Sequence, residues 1–257
     1  MTDAHCNTLI DKMDKRQKLE NARAIASETE KLSDEMISNI TPSTNQTEAK
    51  YAIKDYVQDS NAINNAAHNS PNNPGTNVTN LDHGLRLISN QLDNDGKPRA
   101  QIVYRLIAYD SIDDIPYGNA KPIQVGSYVG DRGFVSTSMH RQFILGKESK
   151  VKPGAILRMA IHGTSGVPIA IHLPNLSYTN KNMKAIYDRE VKKAVWKKVF
   201  GDGPRPGQAE VLFPQNTNFR VRNIKRNDSK NYVSVVLEEA RPDQSNNVLN
   251  MKFGDPL

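Results

Sequence analysis

The change of hydrophobic period near Pro98 constrains this chain most. Before it, apolar residues fall at helical steps. After it, they fall in short runs rich in Ile, Val and Tyr, broken by Gly and Pro. Ile10, Met13, Ala22, Ile25, Leu32, Met36 and Ile37 predict a charged helix over 9–40, closed by Thr41-Pro42-Ser43-Thr44. Ala52, Ile53, Tyr56, Val57, Ile63 and Ala67 predict a second helix over 47–68. After a Pro- and Gly-bearing loop, Leu81, Leu85, Leu87, Ile88 and Leu92 predict a third, ended by Asp95-Gly96. Strands are predicted over 101–109, 133–138, 155–161, 167–172, 210–213, 218–223 and 232–237. Helices first and strands later, with no βαβ alternation, define an α+β protein rather than a doubly wound sheet.

The organisation read along the chain has three parts. Residues 1–44 form an accessory helical segment that either packs on the main domain or serves export or partner binding. Residues 45–240 form the main domain, and 241–257 a polar, loosely ordered tail. Apolar content is 37% and aromatic content 6%, low enough that part of the chain is expected outside a packed core. No apolar run has the length of a membrane span, and the first residues lack a secretory-signal pattern. Cys6 is the only cysteine, which excludes an intramolecular disulfide and a Cys-rich zinc site and fits a reducing compartment.

The net charge of +6 is local. The stretch 181–200 holds Lys181, Lys184, Arg189, Lys192, Lys193, Lys197 and Lys198 against Asp188 and Glu190. Such a helix suits an acidic partner surface better than general nucleic-acid binding; a solvated helix face is the plain alternative. Met183, Tyr187, Val191 and Val195 form a stripe expected to pack this helix on the body rather than to contact a target.

Three polar constellations sit on apolar segments. Arg105 lies within a predicted strand, and its planar fork suits phosphate. Ser136-Thr137-Ser138 ends another, where hydroxyls bond across a sheet or simply cap it. Gln208 and Glu210 are two apart, which on an extended segment puts both on one face. A carboxylate there stabilises an oxocarbenium-like sugar, and the neighbouring amide holds a second reactant. Each has a bland counterpart in a solvated or capping residue. The six histidines show no H-x-x-x-H or H-E-x-x-H, and no G-x-G-x-x-G or P-loop occurs. Gly163-Thr164-Ser165-Gly166 lacks the nucleophile-elbow spacing.

In order along the chain, these pieces resemble the bacterial mono-ADP-ribosyltransferase toxins of the R…S-T-S…[EQ]-x-E class. Ala52-Ile53-Lys54-Asp55-Tyr56 with Asn61-Ala62-Ile63-Asn64 resembles the first-helix pattern of that family. Val103-Tyr104-Arg105, Asp131-Arg132-Gly133-Phe134-Val135-Ser136-Thr137-Ser138 and Gly207-Gln208-Ala209-Glu210-Val211-Leu212-Phe213-Pro214 resemble its later blocks. The resemblance spans about 48–239. It implies a split antiparallel β-sandwich with N-terminal helices around an NAD cleft, and transfer of ADP-ribose from NAD to a protein side chain. It implies Glu210, Gln208 and Ser136 as the catalytic set, with Ser136 positioning Glu210. It implies NAD contacts from Arg105, Tyr104, Thr137, Ser138 and Phe143. No Arg-Pro follows Phe143, so Arg141 or Lys147 stands in for it. The segment 174–206, with the basic helix and Trp196, is longer than the usual acceptor-recognition loop and is expected to dock an acidic patch.

Gln at 208, where arginine-modifying members carry Glu, resembles the clostridial exoenzymes that modify Rho GTPases. This implies an asparagine, glutamine or threonine acceptor. A Rho-type GTPase comes first among host partners; actin, ubiquitin and elongation factors stay open. The implied setting is a secreted or injected effector in host cytosol. The alternatives are an NAD glycohydrolase with water as acceptor, and a host-protein binding module without turnover.

Overall fold

The computed structural model describes residues 1–14, 52–53, 55–56, 60–89, 99–139, 141, 154–169, 209–243 and 247–257. The stretch 181–200, Trp196, Phe143, Lys147 and Gln208, and most of the helix expected over 9–40, lie outside the described residues.

Among the described residues, three helices, α1 (Asp3–Asp14), α2 (Ser60–Asn69) and α3 (Thr76–Ser89), precede nine strands. These are β1 (Gln101–Tyr109), β2 (Tyr128–Gly130), β3 (Val135–Ser138), β4 (Ala155–Gly163), β5 (Val167–Pro168), β6 (Glu210–Phe213), β7 (Asn218–Asn227), β8 (Tyr232–Glu239) and β9 (Val248–Asn250). All nine join one curled sheet in the order β5-β6-β3-β1-β4-β8-β7-β2-β9. The expected layers are thus arms of one hydrogen-bonded sheet. Most pairings are antiparallel; β4 with β8 and β2 with β9 are parallel.

The longest ladder pairs β1 with β4, from Gln101↔Gly163 to Tyr109↔Ala155. Inside the curl, Val103, Leu157, Met159, Val211, Phe213, Phe219, Val221, Val233, Val235 and Leu237 form the main core. Each such side chain contributes about 1.5–3 kcal/mol on full burial. Phe213 meets Phe219 edge to face, with centroids 5.3 Å apart. Gly163 and Gly166 lie against the Phe213 ring; a Cβ on either would come within 2.4–2.9 Å of it. Glu239 Oε2 accepts from the Ser165 backbone at 2.8 Å and so fixes the turn between these glycines.

The outer faces carry the helices. Ala52, Ile53, Tyr56, Ile63, Ala67, Val78, Leu81, Leu85 and Ile88 pack on Phe134, Val167, Ile169 and Leu212. This covers the β5-β6-β3 arm. On the other side Cys6, Leu9, Ile10 and Met13 of α1 pack on Ala160 of β4 and Val236 of β8. The first residues of the accessory segment therefore belong to the body. The Cys6 thiol is buried there, and burial pushes its pKa up.

Three differences from the sequence reading have physical causes. A bulge between Val221 and Asn223 breaks the alternation of β7, so the strand runs on to Asn227. The three-residue strands β2 and β9 are too short for a periodic signal; β2 is defined by pairing with β7 and β9, and β9 by pairing with β2. The tail, read as loosely ordered, is instead docked over 247–257. Met251 is buried, the Tyr109 and Tyr117 hydroxyls donate to the Lys252 and Met251 carbonyls, and Met251 N donates to Gly130.

Candidate active site

Register decides which hydroxyls face the site. β3 and β6 pair as Val135↔Phe213, Ser136↔Leu212, Thr137↔Val211 and Ser138↔Glu210. Because side chains alternate, Val135, Val211 and Phe213 enter the main core. Leu212 enters the cluster under the helices. Ser136, Ser138 and Glu210 share the face of Leu212. There the Ser136 hydroxyl donates to Glu210 Oε1 at 2.6 Å. Glu210 is half-buried, and Ser138 beside it is buried.

Thr137, expected among the NAD contacts, lies on the opposite face. It is 3% exposed, and its hydroxyl donates to the Val211 carbonyl at 2.7 Å. It pins β3 to β6 on the side away from Glu210. The residue that follows Gln208 is not extended. Ala209 has φ 46°, in the left-handed region, so the strand starts at Glu210 and its alternation does not extend back through Ala209. The Ala209 carbonyl still accepts from Met139 N at 2.9 Å and closes the end of the β3–β6 ladder.

Arg105 sits mid-strand in β1, and its Nη1 donates to the Ser136 carbonyl at 3.1 Å. One cation thus braces the residue that holds Glu210. Tyr104 pairs in register with Ser138, which pairs with Glu210. Its ring packs against the cluster under α1, and burial pushes its phenol up against the opposing charge of Arg141.

Tyr56 connects the charged groups. Its phenol is pushed up to about 12, first by burial and then by the carboxylate of Glu210; Arg105 pulls the other way. The fields of Glu210, Arg105 and Asp131 therefore meet at one buried ring. Tyr56 meets Phe134 edge to face at 5.7 Å and accepts from Asn64 Nδ2 at 3.3 Å. Asn64 Oδ1 accepts from Phe134 N at 2.8 Å, and His68 Nε2 bonds Asp131 Oδ1 at 2.5 Å. The sequence reading missed His68 and Asp131 as functional candidates. The available signal was that His68 follows Asn64 by four residues, one turn along the same face.

Among the described residues there is no group of three metal-ligating side chains, and no helix is long and apolar enough to cross a membrane.

A curled mixed sheet with helices on its outer arms, and a braced arginine, serine and carboxylate on neighbouring strands, is the architecture of an ADP-ribose-transferring toxin. The family model described as ADP-ribosyltransferase exoenzyme matches residues 16–241, and the chain belongs to that family. It is an NAD-dependent mono-ADP-ribosyltransferase, with NAD as its substrate.

Solved structures agree on the fold. The Vis toxin from Vibrio splendidus superposes with a TM-score of 0.61 at 15% identity, covering 96% of this chain and 99% of that one. Plx2a from Paenibacillus larvae gives 0.52 at 17% identity, with 86% and 97% covered. The Clostridium limosum C3 exoenzyme gives 0.50 at 13% identity, with 88% and 97% covered. No curated protein matches the chain.

Proposed function

We propose that the chain cleaves NAD through an oxocarbenium-like state and passes ADP-ribose to a non-arginine side chain of a host protein. The bond between nicotinamide and the ribose anomeric carbon breaks, and its electron pair leaves on nicotinamide. An acceptor nitrogen or oxygen then bonds that carbon and loses a proton to solvent. Glu210 bonds the ribose 2′-hydroxyl and stabilises the cationic carbon. Ser136 orients Glu210. Arg105 and Ser138 face the dinucleotide, and Phe143 stacks on nicotinamide.

The observation that carries this reading is the 2.6 Å bond from Ser136 to Glu210. A carboxylate held beforehand costs no reorganisation when positive charge develops, which is how such groups accelerate reactions. The backbone brace from Arg105 supports the same geometry.

Gln208 sets the acceptor. A neutral amide hydrogen-bonds an amide or hydroxyl, whereas a second carboxylate suits a guanidinium. Asparagine, glutamine or threonine is therefore the modified residue, and a Rho-type GTPase is the first candidate target. The basic stretch 181–200 docks an acidic face of that target. The protein acts as a secreted or injected effector in the host cytosol.

The test incubates the protein with labelled NAD and eukaryotic lysate, then maps the label by mass spectrometry. Label on asparagine, glutamine or threonine supports the reading. Label on arginine overturns the role of Gln208, and NAD consumed without labelled protein identifies water as the acceptor.

A further inference from the structure

We infer that His68 is a positioning residue for the reaction. Through Asp131 it fixes the segment that presents Ser136 to Glu210. The inference rests on the reading of Glu210 given above and names a group that reading does not use.

Asn64 and His68 are four residues apart, so both point from one face of α2. Each reaches a different end of the segment 131–134. Asn64 Oδ1 accepts from the Phe134 backbone at 2.8 Å. His68 Nε2 meets Asp131 Oδ1 at 2.5 Å across 63 residues of sequence. A carboxylate oxygen only accepts, so Nε2 carries the proton and donates it. The same Oδ1 accepts from Gly133 N at 2.9 Å, which closes a tight turn on the histidine.

Glycine is required where the segment crosses the helix. A Cβ at Gly133 would lie 2.6 Å from Asn64 Oδ1 and 3.2 Å from His68 Nε2. The segment is therefore pressed onto the two side chains that hold it. Two residues past Phe134 comes Ser136, whose hydroxyl reaches Glu210. A shift at Asp131 reaches the serine through a short chain with little slack.

The simpler role for His68 is a last-turn residue that favours the end of α2. That role needs no partner outside the helix, and this imidazole has one. Its side chain is 38% exposed and that of Asp131 12%, so the outer partner can be removed without opening the core. Asp131 then keeps its bond from Gly133, and Asn64 keeps Phe134. The segment stays folded but is held at one end.

The test compares wild type, His68→Ala and His68→Gln by nicotinamide release from NAD, with Tm measured alongside. Gln places an amide nitrogen near the position of Nε2 and keeps the donor. The expected result is that kcat falls about tenfold or more in His68→Ala while KM for NAD changes little, since small misplacements at a reacting centre cost rate. Tm falls by at most about 4 °C, as the loss of one hydrogen bond gives in a chain of this size. His68→Gln recovers most of kcat. An unchanged kcat in His68→Ala overturns the inference. So does a loss confined to KM, which would make His68 a direct NAD contact, and so does a Gln variant no better than Ala. A wild type that releases no nicotinamide overturns the reading of Glu210 and this inference with it, whereas an active wild type with a silent His68 overturns this one alone.

Discussion

The Ser136 hydroxyl donates to Glu210 Oε1 at 2.6 Å from the adjacent strand, while the next residue, Thr137, donates to the Val211 backbone on the opposite face. Adjacent hydroxyls of one S-T-S run thus do different jobs, because successive side chains on a strand point opposite ways.

Ser136→Ala therefore removes the hydroxyl bond to Glu210 Oε1 without disturbing the core. Nicotinamide release is expected to fall about tenfold to a hundredfold. Thermal unfolding should shift by no more than about 4 °C. Steady-state kinetics beside a melting curve checks both.

Thr137→Val should behave the other way round. It leaves the Val211 carbonyl without its side-chain donor in a buried site, at a cost of about 1–3 kcal/mol. Urea unfolding should show that loss. The activity of the remaining folded protein should stay within about threefold of wild type, since the hydroxyl faces away from Glu210. A large kcat defect at unchanged stability would return Thr137 to the site.

Ala209 carries left-handed strain at φ 46° directly before the carboxylate. A non-glycine residue there costs about 1–2 kcal/mol. Ala209→Gly relieves this strain and loosens the unfolded chain, so Tm is expected to hold or rise slightly. Ala209→Val adds a β-branched group at a 2% exposed position and should lose about 1–3 kcal/mol. Differential scanning calorimetry of the pair separates strain from packing.

His162 gives a pH dependence. Burial pushes its imidazole below the usual 6.5, against the opposing pull of Glu238. The folded state therefore binds this proton less readily than the unfolded chain. Its contribution to stability is full above pH 6.5 and is lost as pH falls through the lowered folded pKa. Tm should drop between pH 7.5 and 5, and His162→Gln should flatten part of that drop. Parallel melting curves that keep the same slope in the variant would assign the effect elsewhere.

Much of this was legible in the sequence, and the misses share a cause. β1 and β6 have the bounds predicted for them, because turn residues punctuate both. Arg105, Ser136 and Glu210 were legible as a set, and the structure brings them together on neighbouring strands. Facing was not legible. Thr137 looks like part of the S-T-S unit until register turns it inward, and Ala209 looks like a spacer in an extended run until its φ is known. Long-range partners were not legible either. Nothing local joins His68 to Asp131, and β9 exists only because β2 lies beside it. Periodicity reports what a segment does with itself, whereas these features depend on what distant segments do with each other.

The charge on Glu210 is tested by nicotinamide release by wild type and by Glu210→Gln, with NAD affinity measured on both. Gln keeps the shape and an acceptor oxygen for Ser136 but removes the charge. Wild type is expected to turn over and Glu210→Gln to lose at least about a hundredfold, with NAD binding little changed. Equal release by the two proteins would contradict the role of that charge.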